Sequence, residues 1–110
     1  MRALTAEEER LVRYLIGLRP GYEYLLEQLP GARVETMDDG GMGSLQFAGV
    51  RGRSGGRFLN EYEFLDRDGM LGIASVVLDS DGNLYELDMW KGDFSPLQDY
   101  PQAPSGEEEA

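Results

Sequence analysis

RFLNEYEFLDRDGMLGIASVVLDSDGNLYELDMW, residues 57–90, decides the fold. Arg57–Leu65 alternates with the two-residue period of a strand: Phe58, Tyr62 and Phe64 are expected on one face, and Leu59, Glu61, Glu63 and Leu65 on the other. Asp66-Arg67-Asp68-Gly69 turns the chain. Met70–Leu78 is then an almost unbroken apolar run, as expected of a central strand. Asp79-Ser80-Asp81-Gly82 turns it again, and Asn83–Trp90 alternates as a last strand. Such short connections imply hairpins, and therefore an antiparallel sheet.

Upstream, Ala32–Met37 and Ser44–Val50 read as two further strands separated by Asp38-Asp39-Gly40-Gly41. Arg51-Gly52-Arg53-Ser54-Gly55-Gly56 reads as a flexible loop that gathers Arg51, Arg53 and Arg57. The N-terminal third has a helical period instead. Thr5-Ala6-Glu7-Glu8 fits a capping box, with acids in the first turn, where the helix dipole favours them. Leu11, Tyr14, Leu15 and Leu18 follow as one stripe, broadened by Val12 and Ile16, until Gly17 and Arg19-Pro20-Gly21 end it. Tyr22, Leu25, Leu26 and Leu29 predict a shorter helix stopped by Pro30-Gly31. The expectation is an α+β domain over residues 1–101, an N-terminal αα-hairpin on one face of a five-stranded antiparallel meander. Residues 102–110, QAPSGEEEA, are expected to form a disordered acidic tail.

Composition removes whole classes of chemistry. The chain has no Cys and no His, so neither disulfides, thiolate metal sites nor His-dependent triads can form. No apolar run reaches the ~18–20 residues that cross a bilayer, and MRALTAEEER puts charge where a signal peptide needs apolar residues. A cytoplasmic protein is the expectation. Twenty-one acids against ten bases give a net charge of −11, which repels phosphate backbones and would attract a basic partner. Nucleic acid and membrane are not expected partners. A protein is, with the chain itself a monomer or weak homodimer.

Candidate sites are few. Asp79-Ser80-Asp81-Gly82-Asn83 is oxygen-rich, but Gly is fourth and Glu86 eighth, unlike a calcium loop, and a hairpin turn explains the same residues. Asp38-Asp39-Gly40-Gly41-Met42 lacks the Lys of a phosphate cradle; its functional reading is a mobile acidic loop with Met42 as an exposed contact. Glu86 and Asp88 share a strand face roughly 6–7 Å apart, a spacing that can serve acid–base or glycosidic chemistry, yet Glu61 and Glu63 repeat it. Trp90 joins Glu86 and Asp88 if the strand stays regular; a bulge near Lys91-Gly92 would turn it inward. Lys91, the only Lys, is expected to keep its ammonium in water. In Asp93-Phe94-Ser95-Pro96-Leu97, Phe94 and Leu97 are expected to plug the edge of the core. No catalytic set, cofactor site or metal site stands out.

Three segments carry a resemblance: TAEEERLVRYLIGL (5–18), VETMDDGGMGSLQF (34–47) and ELDMWKGDFSPLQDYP (86–101). They resemble an uncharacterised family of small bacterial proteins, a domain of unknown function, with WKGDFSPL the most distinctive part. That resemblance implies kinship and no activity. Size, charge and the Trp-x-x-Asp-Phe segment also resemble some immunity proteins that neutralise toxins. The functional expectation is a non-enzymatic protein-binding module whose partner surface includes Asp38, Asp39, Met42, Glu61, Glu63, Glu86, Asp88 and Trp90. The alternatives are a hydrolase-like enzyme using Glu86 and Asp88, or a structural oligomerising domain.

Overall fold

The computed structural model describes residues 1–48 and 55–102. Its elements are β1 (Arg2–Ala3), α1 (Ala6–Gly17), a 3-10 helix (Glu23–Gln28), β2 (Arg33–Thr36), β3 (Leu45–Phe47), β4 (Gly55–Leu65), β5 (Leu71–Asp79) and β6 (Leu84–Lys91). The class is α+β with an antiparallel sheet, as the alternation predicts. Arg51 and Arg53 of the expected loop, and the tail from 103 onward, lie outside the described residues.

The sheet departs from the expected meander in two ways. Among the described residues it has six strands, in the order β1-β2-β3-β6-β5-β4. β3 does not pair with β4, the next strand in sequence. It lies against β6, with Leu45 opposite Leu87 and Gln46 opposite Glu86. The two hairpins β4-β5-β6 and the β2-β3 hairpin are therefore joined through the last strand, which makes β6 central and leaves β4 on an edge. The extra strand, β1, spans two residues opposite Arg33 and Val34. It is tied to the cap of α1: Arg2 Nη1 and Nη2 donate to the two oxygens of Glu8 at 2.8 and 2.9 Å, and Nη2 also reaches Thr36 Oγ1 at 3.0 Å. The capping box itself forms as expected.

The αα-hairpin is corrected as well. Only the first segment is an α-helix; the second is a six-residue 3-10 helix. Its stop at Pro30-Gly31 leaves too little chain for α-helical bonding to propagate, and tertiary contacts hold it instead. Tyr24 Oη donates to the Gly82 carbonyl at 2.7 Å, and Gln28 accepts from the Leu84 N–H while donating to Asn83.

α1 packs Leu11, Val12, Leu15 and Ile16 onto β4 and β5, where they meet Ala74, Val76 and Leu78. At about 1.5–3 kcal/mol for each large side chain removed from water, this layer dominates the folding energy. Both helical segments lie on that one side of the sheet. Along β4, register shifts between Phe58 and Asn60 put Phe58 opposite Val77 but Tyr62 and Phe64 opposite Ala74 and Gly72. Phe58 therefore sits on the other face from Tyr62 and Phe64, contrary to simple alternation, and Leu59 at the bulge is buried.

Candidate functional site

The sheet face opposite α1 carries no covering layer among the described elements, and register shows which residues share it. One row runs Glu61–Ser75–Asp88 across β4, β5 and β6. The next runs Glu63–Ile73–Trp90, and on the other side Phe58–Val77–Glu86 continues to Gln46 and Glu35. Five of the eight expected site residues, Glu61, Glu63, Glu86, Asp88 and Trp90, are thus brought together. Trp90 stays outward because β6 keeps its alternation to the end. The bulge falls at its start, where the register steps from Leu78–Leu84 to Val77–Glu86, so that Leu84 and Leu87 both point inward.

None of the residues that β4, β5 and β6 direct to this face is a Lys or Arg. Glu86 and Asp88 are half-buried, and among the described residues neither has an ion pair with a cation. Burial, then the charge of Asp88, push the Glu86 carboxyl above its usual range. Burial also pushes Asp88 up, opposed by the Ser44 hydroxyl 3.5 Å away and reinforced by Asp39. Ser44 is better engaged with the strand itself, accepting from the Met89 N–H at 2.8 Å. Among the described residues no three carboxylates converge at metal-binding spacing.

Asp39 serves the backbone. Its oxygens accept from the N–H groups of Met42 (3.1 Å), Gly43 (3.4 Å) and Ser44 (2.9 Å). Burial raises its carboxyl, but those donors outweigh burial and hold it below its usual value. The loop is further pinned by Leu97 N–H donating to the Gly41 carbonyl and by Pro96 packed against Gly41. Met42, expected as an exposed contact, is half-buried, and Asp38 is exposed beside this tied loop.

Two features lie outside the expected site. The first is Lys91, whose side chain is 1% exposed instead of wet. Its ammonium sits 2.8 Å from Asp66 and 2.7 Å from Asp68, and donates to the Pro96 carbonyl at 3.1 Å. Asp66 also accepts from the N–H groups of Arg67, Gln98 and Asp99. Burial raises the Asp66 carboxyl, yet Lys91 and the three amides win and hold it far below the usual carboxylate range. This cluster fastens residues 96–99 to the β4–β5 turn. A signal was available: Leu87, Met89 and Lys91 share one parity, so a strand that buries the first two buries the third.

The second is Phe94. It does not plug the core; it is 64% exposed, with its ring edge-on to Trp90 at 6.2 Å and 86°. Leu97, by contrast, does pack against the core. Phe94 has φ of 61°, in the left-handed region that costs a bulky side chain on the order of 1 kcal/mol. A turn imposes this conformation. Phe94 N–H donates to the Lys91 carbonyl, and Asp93 accepts from both the N–H and the hydroxyl of Ser95. Beyond Phe94 the chain crosses to the helical side, where Pro101 is buried and Gln102, expected in the disordered tail, donates to Glu7 at 3.0 Å. A small cavity of about 100 Å³ lies there, lined by Ala6, Glu7, Arg10, Pro101 and Gln102.

A family model described as Domain of unknown function (DUF6984) matches residues 1–101. The chain belongs to the DUF6984 family. That match spans all six strands of this DUF6984 member together with the Lys91 cluster and the Trp90–Phe94 pair. No curated protein and no solved structure matches it. No helix of the described residues is long and apolar enough to cross a membrane.

Proposed function

We propose that this chain is a non-enzymatic protein-binding module, acting in the bacterial cytoplasm, whose open sheet face docks a basic protein. The sharper form of the reading is an immunity protein that neutralises a toxin. One observation carries it: Glu61, Glu63, Glu86, Asp88 and Trp90 share an uncovered face to which β4–β6 bring no Lys or Arg. Carboxylates raised by burial and by a neighbouring acid are relieved when a cation arrives, so a basic surface gains more here than from isolated surface acids. Charge of this kind speeds encounter and rejects acidic partners, while aromatic anchors slow dissociation. The same charge opposes face-to-face pairing of two copies, which favours a monomer.

An acid–base role for Glu86 and Asp88 has less support. Acid–base pairs divide their labour when their environments push the two groups apart, whereas both carboxyls here are pushed the same way. The small cavity is lined by neither of them.

The test is affinity capture with the tagged full chain from its native host, beside co-expression with neighbouring genes. The expected result is a basic protein held by the wild type and released by a variant carrying Glu61→Gln, Glu63→Gln, Glu86→Gln and Asp88→Asn. Capture that survives the four substitutions, or no partner by either route, rejects the reading.

A further inference from the structure

The uncovered face is graded along its strands. Seven large hydrophobic side chains are exposed among the described residues, and four of them, Phe58, Leu65, Leu71 and Phe94, belong to this face or its margin. Leu65 and Leu71 are directly opposite each other at the end of the β4–β5 hairpin, one row beyond Glu63–Ile73–Trp90. The Gly92 N–H donates to the Leu71 carbonyl, so the turn that presents Phe94 is fixed to that same end. Leu65, Leu71, Trp90 and Phe94 make an apolar end bordered by Glu63, while Glu61, Asp88 and Glu86 make an acidic middle, with Phe58 at its far edge. The strain at Phe94 holds a large aromatic ring out in solvent, against the ordinary tendency of a strand end to bury it.

Resting on the docking reading above, we propose that the occupant of this face is a polypeptide segment in which a Lys or Arg directly neighbours an aromatic or large aliphatic side chain. The apolar side chain seats on Phe94 and Trp90, and the cation lies toward Asp88 and Glu86. Charge complementarity selects this occupant. Phosphate-bearing ligands meet carboxylates and no cation from β4–β6 here, and a second copy of the chain would set acids against acids. A purely basic segment would leave the apolar end wet, and a purely apolar one would leave half-buried carboxylates without a counter-ion. Trp90 can also take the cation on its ring face, which keeps the two contacts adjacent.

Two synthetic pentapeptides of equal charge separate the terms, Ac-Arg-Phe-Arg-Phe-Arg-NH2 and Ac-Arg-Ser-Arg-Ser-Arg-NH2. Each is titrated into the isotope-labelled full chain, and the Trp90 indole N–H and the amides of residues 71–77 and 86–94 are followed. The expected result is that both peptides perturb this face, with the Phe-containing one binding about tenfold more tightly, a difference of about 1.4 kcal/mol. Phe94→Gly keeps the left-handed backbone without the ring and removes that preference. Leu65→Ser, at a 72% exposed position, weakens the preference independently. Glu86→Gln with Asp88→Asn weakens both peptides alike. If both peptides bind the face equally, or if Phe94→Gly leaves the preference intact, this proposal is wrong while the docking face stands. If neither peptide perturbs the face, or the perturbations fall elsewhere, both fail.

Discussion

Consecutive residues of β6, Trp90 and Lys91, look out on two regions that treat charge in opposite ways. On the helical side, Lys91 and Asp66 are almost completely buried, and each is surrounded by partners that hold it ionised: two carboxylates and a carbonyl for the ammonium, one ammonium and three amides for Asp66. On the open side, Glu86 and Asp88 are only half-buried, yet burial and neighbouring acids push their carboxyls up. The difference teaches which charges belong to the fold. A buried charge survives folding only if the chain itself supplies its counter-charges and donors. A half-buried charge can be left unbalanced at a small cost, so imbalance on an exposed face is compatible with the fold and is what the proposed basic partner would relieve.

The largest effect should come from breaking the balanced side. Lys91→Met removes the cation and leaves Asp66 buried with only its amide donors, which should cost about 3–5 kcal/mol, read as a lowered urea midpoint. Adding Asp66→Asn to that variant should return part of the loss, because the uncompensated charge is gone. The pH dependence has a definite sign. Asp66 has a folded carboxyl far below its unfolded value, so its contribution is present above the unfolded value, about 4, and disappears as pH falls below that through the folded one. Burial lowers the Lys91 ammonium but its two aspartates raise it further, so its contribution is present below the unfolded value and lost as pH rises through the folded one. A Lys91→Met cost under about 1 kcal/mol would place this cluster with ordinary surface pairs and erase the contrast.

Gly72 tests the same side by packing instead of charge. It lies opposite both Phe64 and Lys91, and a Cβ there would overlap the Phe64 ring. Gly72→Ala should therefore cost about 1–3 kcal/mol, measured by the same denaturation, by displacing the ring from its place in the core. A neutral Gly72→Ala would show that the Lys91 end of the sheet is loosely packed, and the buried cluster would lose its rigid frame.

Most strands were legible because they alternate over enough residues, and their short turns gave the hairpin partners; the second neighbour of β3 was not legible. Alternation places Leu45 and Phe47 on one face, but nothing in it says that β3 lies beside β6 in preference to β4. A hairpin and a crossover use the same turn-rich composition. β1 was invisible because two residues hold no period. Tyr22, Leu25, Leu26 and Leu29 suit a 3-10 helix as well as an α-helix, and the Gln28 contacts that settle the matter come from the β5–β6 turn. Of the site, the parity of Glu86, Asp88 and Trp90 was readable, as was that of Glu61 and Glu63. Phe94 was not, since alternation ends at Gly92 and a left-handed turn decides where the ring points. Lys91 was readable by parity, but a lone lysine on a strand suggests a solvated end more readily than a buried one.

The smallest effect probes the unbalanced side and has the opposite sign. An acid whose folded value is raised costs stability when ionised; that cost is complete above the folded value and fades as pH falls toward the unfolded one. Glu86→Gln with Asp88→Asn should therefore stabilise the protein near neutral pH, by roughly 0.5 kcal/mol once solvent screening is allowed for. The gain should vanish near pH 3, where the wild-type carboxyls are already protonated, and should shrink in high salt, which screens their mutual repulsion. Thermal melts of the variant and the wild type across that pH range check the sign. Removing charge from a fold normally weakens it or does nothing. A stabilised variant that also loses its basic ligand would mean that these two carboxylates are kept for the partner at the expense of the fold. A destabilised variant would mean that Glu86 and Asp88 have counter-ions after all, and the two faces of β6 would no longer differ in kind.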